Sequence, residues 1–350
     1  MKKTQVGVIR WDAYVDSDRF FGTFASNSLS PKEYQNRAPF YSRITEEGRV
    51  TFSNYNEDLF NQEMEYAISA GIDYFAYCYY SFDCANAAAA LDYDPARKAI
   101  APYIDELTIV RRMHRKSTYR EKVKLCAILT SFPLTALDVA ELAEDMVSDY
   151  YVKVDGRPLL YCYETKAPVT LANLALLLPE LEKAGVPAPI MVPTYPLNAN
   201  TMAEQSKDEE AVGFYAAGNN GFVDYESYCA KVSGCLENYF RIGKPVVPLL
   251  AMGWNPDPRV DHPVSWASYA RVQYHEEMTE AGLQQQVAKI RELVQQYPDR
   301  FMGHCLVFAW NEFEEGGWVC PTLAFDEEGK PFADCTHLEY LGRAIKALKA

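Results

Sequence analysis

Short apolar runs alternate along the chain with longer stretches in which apolar residues recur at helical spacing. Gln5–Val6–Gly7–Val8–Ile9 reads as a buried strand. The spacing of Leu59, Phe60, Met64, Ala67 and Ile68 predicts a helix over 58–70, which Gly71 stops. The pattern then repeats. Strands are expected at 72–80, 123–129, 189–192, 211–216, 246–250 and 304–309. A further pair, 151–154 and 157–163, flanks the tight-turn signal Asp155–Gly156. Helices are expected at 95–114, 135–148, 170–184, 224–241, 276–297 and 337–348. Residues 10–55 hold aromatics, Pro and Gly without a clear period and read as a long loop region.

Strands alternating with helices argue a parallel sheet covered on both faces. Eight such units predict an α/β fold, a (β/α)8 TIM barrel, as one domain spanning 1–350. A barrel needs about 250 residues, and the surplus of roughly 100 falls mostly in 10–55, 194–210 and 252–272. These long loops follow strands 1, 5 and 7, on the face where barrels carry active sites. An open doubly wound sheet is the rival architecture. No GxGxxG or GxxxxGK[ST] follows the first strand, so it lacks a phosphate cradle.

Charge narrows the partners. With 48 Asp+Glu against 34 Lys+Arg, the net charge of −14 repels nucleic acid and anionic membranes. No run of about 18 apolar residues is present to cross a bilayer. The Met–Lys–Lys start resembles a signal n-region, but the apolar run after it is short and is broken by Arg10 and Asp12. Nine cysteines without a CxxC pair point to reduced thiols and a cytoplasmic location, with neither a zinc knuckle nor a thioredoxin-type site. Tyrosine is abundant, at 25 residues, which suits a site that stacks on flat-faced ligands such as sugars.

The sharpest chemistry is Phe308–Ala309–Trp310–Asn311–Glu312–Phe313–Glu314–Glu315–Gly316–Gly317–Trp318, just past the last expected strand. Paired carboxyls in one site divide acid and base roles when their surroundings push their pKa values apart. A spacing of three residues on a helical turn puts Glu312 and Glu315 on one side. The bland reading is a solvated acidic helix start; Trp310, Phe313 and Trp318 weigh against it.

This segment resembles the Trp-Asn-Glu-Trp-x-Glu-Gly signature of the WbsX-like and glycoside hydrolase family 99-like proteins. Three more segments are similar to that family's: Gly71–Phe82 (GIDYFAYCYYSF), Tyr151–Tyr161 (YVKVDGRPLLY) and Gly253–Arg259 (GWNPDPR), in the expected order. The resemblance implies a (β/α)8 barrel whose hydrolase members cleave internal α-mannosidic linkages with retention. It places the base that deprotonates the sugar's 2-hydroxyl on Glu312 and the general acid/base on Glu315. It implies no metal and no organic cofactor, with an oligosaccharide or polysaccharide as substrate. Two departures stand out. Phe313–Glu314 replaces the hydrolases' Trp-His, so the extra carboxylate either raises a neighbour's pKa or points to solvent. Asn255 stands where Asp is common.

Secondary candidates for substrate contact follow from position. Trp11 and Asp12 end the first strand, Tyr79, Tyr80 and Asp83 the second, and Glu164 the fourth; Tyr195 follows the fifth. Trp254 and Arg259 lie in the seventh loop, where Arg259 contacts substrate or braces the loop through Asp257 or Asp261. Trp310, Asn311 and Trp318 flank the acidic pair. Asp92–Tyr93–Asp94 matches the short DxD pattern of metal-dependent sugar transferases, a match that arises readily by chance. His304 lies in a core strand and reads as a satisfied core group. The favoured function is a glycoside hydrolase. Its rivals are a glycosyltransferase on the same fold, which lacks a nucleotide cradle, and a carbohydrate-binding barrel without turnover.

Overall fold

The computed structural model describes residues 4–194, 199–218, 224–272 and 278–350, and in it each of eight parallel strands is followed by a helix. The strands are β1 (Gln5–Arg10), β2 (Tyr74–Tyr79), β3 (Lys124–Leu129), β4 (Arg157–Cys162), β5 (Ile190–Pro193), β6 (Val212–Gly213), β7 (Val246–Val247 and Leu249–Ala251) and β8 (His304–Phe308). The helices that follow them are α1 (Glu57–Ser69), α2 (Ile109–His114), α3 (Ala136–Val147), α4 (Pro168–Lys183), α5 (Ala199–Gln205), α6 (Tyr225–Arg241), α7 (Glu280–Gln296) and α8 (Thr336–Lys349). Strands run in the order β7–β8–β1–β2–β3–β4–β5, all parallel. β6 pairs with Val246–Val247 of β7, and Tyr215 N donates to Thr194 O (3.2 Å) across the β5–β6 gap. The ring is a (β/α)8 barrel. Pro248, with no N–H to give, interrupts β7.

Alternation along each strand sets what the barrel holds inside and what it shows its helices. On β2, Phe75 packs on Trp310, Tyr77 hydrogen bonds His114 (3.0 Å), and Tyr79 lies under the Arg111 guanidinium (3.6 Å); all three face outward. Tyr74 turns inward, its hydroxyl 2.7 Å from that of Tyr161. Gly7 makes room for it, since a Cβ there would sit 2.0 Å from the Tyr74 ring. His304 is buried with its ring 5.8 Å from Tyr74, a core group as expected. A buried ion cluster ties β1 to α1 and β8. Arg10 reaches Asp12 (2.8 Å) and Glu63 (2.6 Å), and Trp310 Nε1 donates to Glu63 (3.0 Å). Burial pushes both carboxyls up, and the guanidinium between them opposes that rise.

The expected strands and most expected helices are in place, and Asp155 (φ 51°) with Gly156 (φ 83°) makes the tight hairpin turn before β4. Two expectations fail. Residues 10–55 are not one loop: they hold a helix (Phe20–Leu29), a 3-10 helix (Lys32–Arg37) and a small hairpin of Arg43–Ile44 with Val50–Thr51. The single helix expected over 95–114 is three pieces, Pro95–Ile100, Ala101–Thr108 and Ile109–His114. Pro102 lacks the N–H a continuous α-helix would use. All nine cysteines are free thiols. No helix among the described residues is long and apolar enough to cross a membrane.

Candidate active site

Past β8 the chain folds into a tight hairpin in which Asn311–Glu312 pairs antiparallel with Gly317–Trp318. Phe313–Glu315 is a single 3-10 turn at its tip. A 3-10 turn repeats every three residues and aligns positions i and i+3. Glu312 precedes the turn and Glu315 ends it, and the charge of Glu315 acts on Glu312, through a 3-10 turn rather than an α-helical one. The paired glycines have a steric cause. Gly316 sits at φ 77°, and a Cβ there would lie 2.5 Å from Asn255 N. The loop after β7 thus closes on the tip, with Asn255 N donating to Glu315 O (2.7 Å). Arg37, from the insertion after β1, donates to Asn255 O (2.9 Å) and locks the three loops together.

The three carboxylates have different surroundings. Glu312 is 4% exposed, and its Oε2 has no hydrogen-bond partner among the described residues. Burial first, and the charge of Glu315 second, hold its pKa well above the ordinary carboxyl range. Glu315 is half-buried and accepts a hydrogen bond from Tyr269 Oη (2.6 Å). Burial raises its pKa too, against the pull of Arg259. Glu314 is turned inward, 1% exposed, taking Tyr14 Oη (3.0 Å) and Arg259 Nη2 (3.2 Å) on one oxygen. It does not point to solvent, and its charge adds to the rise of both neighbours. Together Glu312 and Glu315 titrate as a pair that keeps one proton above the usual carboxyl range.

Arg259 corrects one expectation. It does not brace its loop through Asp257 or Asp261, which face Arg271 instead; it pairs with Glu314 across the site. Its guanidinium lies against the rings of Trp11 (4.9 Å), Tyr269 (5.5 Å) and Trp266 (5.9 Å). Trp11 and Tyr80 are among the groups around the acidic pair, Tyr80 within reach of the Glu312 charge. Trp254 is half-buried with its ring 5.8 Å from Phe308. Asn311 and Asp12 are buried braces: Asn311 accepts from Trp11 N (3.0 Å) and donates to Asp12 (3.2 Å).

Other candidates fall away from the site. Trp310 is fully buried on the helix side, bonded to Glu63. Tyr79 is fully buried against Arg111 on the outer face of β2. Trp318 packs behind the hairpin on Phe313 and His337. Glu164 is exposed on the loop after β4. Asp83 accepts from Asn86 Nδ2 (2.7 Å) near the start of a short helix. In the DxD segment, Asp92 pairs with Lys98, and Asp94 caps the next helix at Arg97 N (3.2 Å). Among the described residues no group of three His, Cys, Asp or Glu is arranged to hold a metal ion. Tyr195 lies outside the described residues.

Several groups near the acidic pair were missed in the sequence. Tyr14, Trp266 and Tyr269 come from the long loops after β1 and β7, where aromatics are plentiful and no period singles one out. Tyr163 and Tyr215 were findable, since each closely follows the C-terminal end of a strand. Tyr215 Oη lies 3.2 Å from Cys78 Sγ, and burial pushes that thiol up to about 12.

No protein-family model matches the chain, and no curated protein sequence matches it. Solved structures do. A GH99 endo-alpha-mannosidase from Bacteroides thetaiotaomicron in complex with bis-tris-propane is similar at TM-score 0.51 and 12% identity, over 99% of this chain and 98% of that one. A structure described as a glycoside hydrolase-like protein is similar at TM-score 0.57 and 12% identity, over 100% and 95% of the two chains. At this identity the likeness is one of fold, and it runs the length of the chain.

Proposed function

We propose that the protein is a glycoside hydrolase that cleaves α-linked, mannose-containing glycans with retention, using Glu312 and Glu315. The observation that carries the reading is the carboxyl pair itself: Glu312 ending a hairpin strand and Glu315 ending the 3-10 turn that follows, just past β8, both with raised pKa, one with an unpartnered oxygen. Barrel active sites lie at that end, and the fold is that of solved glycosidases. The remaining carboxylates near the pair are already engaged, Asp12 by Arg10 and Glu314 by Arg259.

In the proposed reaction Glu312 removes the proton of the sugar's 2-hydroxyl, and that oxygen bonds to C1. The C1–O bond to the leaving sugar breaks as Glu315 gives that oxygen its proton. The product is a 1,2-anhydro sugar. Glu315 then takes a proton from water, whose oxygen attacks C1; the C1–O2 bond breaks and Glu312 returns its proton to O2. Substrate-assisted routes of this kind stand beside the double-displacement scheme. Before a glycan binds, the Tyr269 hydroxyl donates to Glu315, which favours its ionised form and tilts the shared proton toward Glu312. A glycan that donates its 2-hydroxyl to Glu312 and accepts from Glu315 moves that proton across the pair.

The test is incubation with α-mannan fragments and other α-linked glycans in plain buffer, read by mass spectrometry, with Glu312→Gln beside the parent. New fragments from the parent alone support the reading. Equal cleavage by Glu312→Gln removes the assignment. Stabilisation by nucleotide sugars with no cleavage in the panel replaces it with a transferase.

A further inference from the structure

Over its first three turns helix α4 has no polar outer face. From Ala167 to Pro179 the chain carries no charged side chain, although the helix lies on the outer wall of the barrel. Its inward stripe is Thr170, Asn173, Leu174, Leu177 and Leu181. Its outward stripe, all exposed, is Pro168, Leu171, Ala172, Ala175, Leu176 and Pro179, with Leu178 beside it. Leu171 is 53% exposed, Leu176 44% and Leu178 41%. A helix apolar on every side is one that is covered on every side.

The outward stripe reads the same in both directions: Pro, Leu, Ala, Ala, Leu, Pro. Its positions are symmetric about the bond between Asn173 and Leu174. A two-fold axis through that point sets Pro168 opposite Pro179, Leu171 opposite Leu176 and Ala172 opposite Ala175. Any two-fold axis makes residue i meet j and j meet i; on this stripe it also sets like residues against like. The small residues fall at the centre of the crossing, where two backbones come closest. An antiparallel pairing also brings opposite helix-dipole ends together.

From this we propose that α4 is the two-fold interface of a homodimer, with a second copy of the chain as occupant. Charge supports that choice. Copies at net charge −14 repel each other over most of their surface, and the stretch of this face from Pro168 to Pro179 carries none of that charge. The exposed apolar residues of α4 present roughly 450 Å². Pairing two such faces buries on the order of 1,000 Å², the lower limit for a specific interface. The contact lies on the barrel flank and leaves the end that carries Glu312 open.

Sedimentation velocity of the full chain from about 1 to about 200 µM, the span in which an interface of this size associates, tests the proposal. The parent is expected to form dimers. Ala175→Glu and Ala172→Lys each sediment as monomers with unchanged circular dichroism, because both sites are exposed and both new residues are good helix formers, and their melting temperature matches the parent's when each is measured dilute enough for the parent to be monomeric. Mixed in equal amounts the two variants form a dimer, since the new carboxylate of one faces the new ammonium of the other. A parent that stays monomeric, an Ala175→Glu dimer, or a mixture that stays monomeric overturns it.

Discussion

Replacing Glu314 by Gln removes one negative charge next to the acidic pair while keeping an oxygen for Tyr14 and Arg259 to reach. In the native site that charge raises Glu312 and Glu315 and engages Arg259 (3.2 Å). Both effects of its removal have the same sign. Repulsion on the pair falls, and the guanidinium acts more strongly on Glu315. A unit charge some 7 Å away at an effective dielectric near 20 is worth about 2 kcal/mol, or about one to two pH units. The active form holds one proton on the pair, so activity falls when pH drops low enough to protonate both groups, and again when it rises enough to ionise both. The variant should move both limbs of the kcat/KM profile to lower pH by about one to two units. The assay is release of reducing ends from a natural α-linked glycan between roughly pH 4 and pH 9, with melting temperature recorded at each pH. Limbs that stay in place, or move to higher pH, in a folded variant would refute the assigned role of Glu314.

Four other outcomes follow from the same geometry. Tyr269→Phe removes the donor to Glu315 (2.6 Å), a bond that favours the ionised form, so the alkaline limb should move up, opposite to Glu314→Gln. Glu312→Gln should abolish turnover yet raise the melting temperature by roughly 1–3 °C. A carboxyl whose folded pKa is raised contributes stability that is lost as pH rises through the folded value, so the gain should be larger at pH 8 than at pH 5. Gly316→Ala forces a side chain onto Asn255 N at φ 77°, and should cost about 1–3 kcal/mol in chemical denaturation and lower kcat. Trp310→Phe breaks the bond to Glu63 and should cost about 1–3 kcal/mol with KM unchanged, because its ring lies outside the cavity.

What could be read from the chain divides along physical lines. Buried strands such as 304–309 announce themselves because both faces of a barrel strand are covered, and the acidic cluster after that strand was visible for its composition. The direction of each side chain was harder to see. Tyr79 is aromatic and ends a strand, yet the pleat sends it outward to Arg111. Trp310 follows a strand that has already ended at Phe308, so alternation no longer governs it. Pairings across loops were hidden as well. The nearest carboxylates to Arg259 in sequence are Asp257 and Asp261, whereas its partner Glu314 is 55 residues away. Nor did residues 10–55 show their helix and hairpin, because their aromatic positions follow no single period. The uncharged run of α4 was visible in the chain, but only the fold shows that its outward positions are exposed.

The roles of the pair can be separated with two substrates, a natural α-linked glycan and an α-glycosyl fluoride of the same sugar, whose leaving group needs no proton. Glu315→Gln should lose at least ~100-fold in kcat/KM on the glycan and retain far more of its activity on the fluoride. Glu312→Gln should lose activity on both, since the 2-hydroxyl must be activated in either case. A Glu312→Gln variant that hydrolyses either substrate at the parent rate would contradict the account.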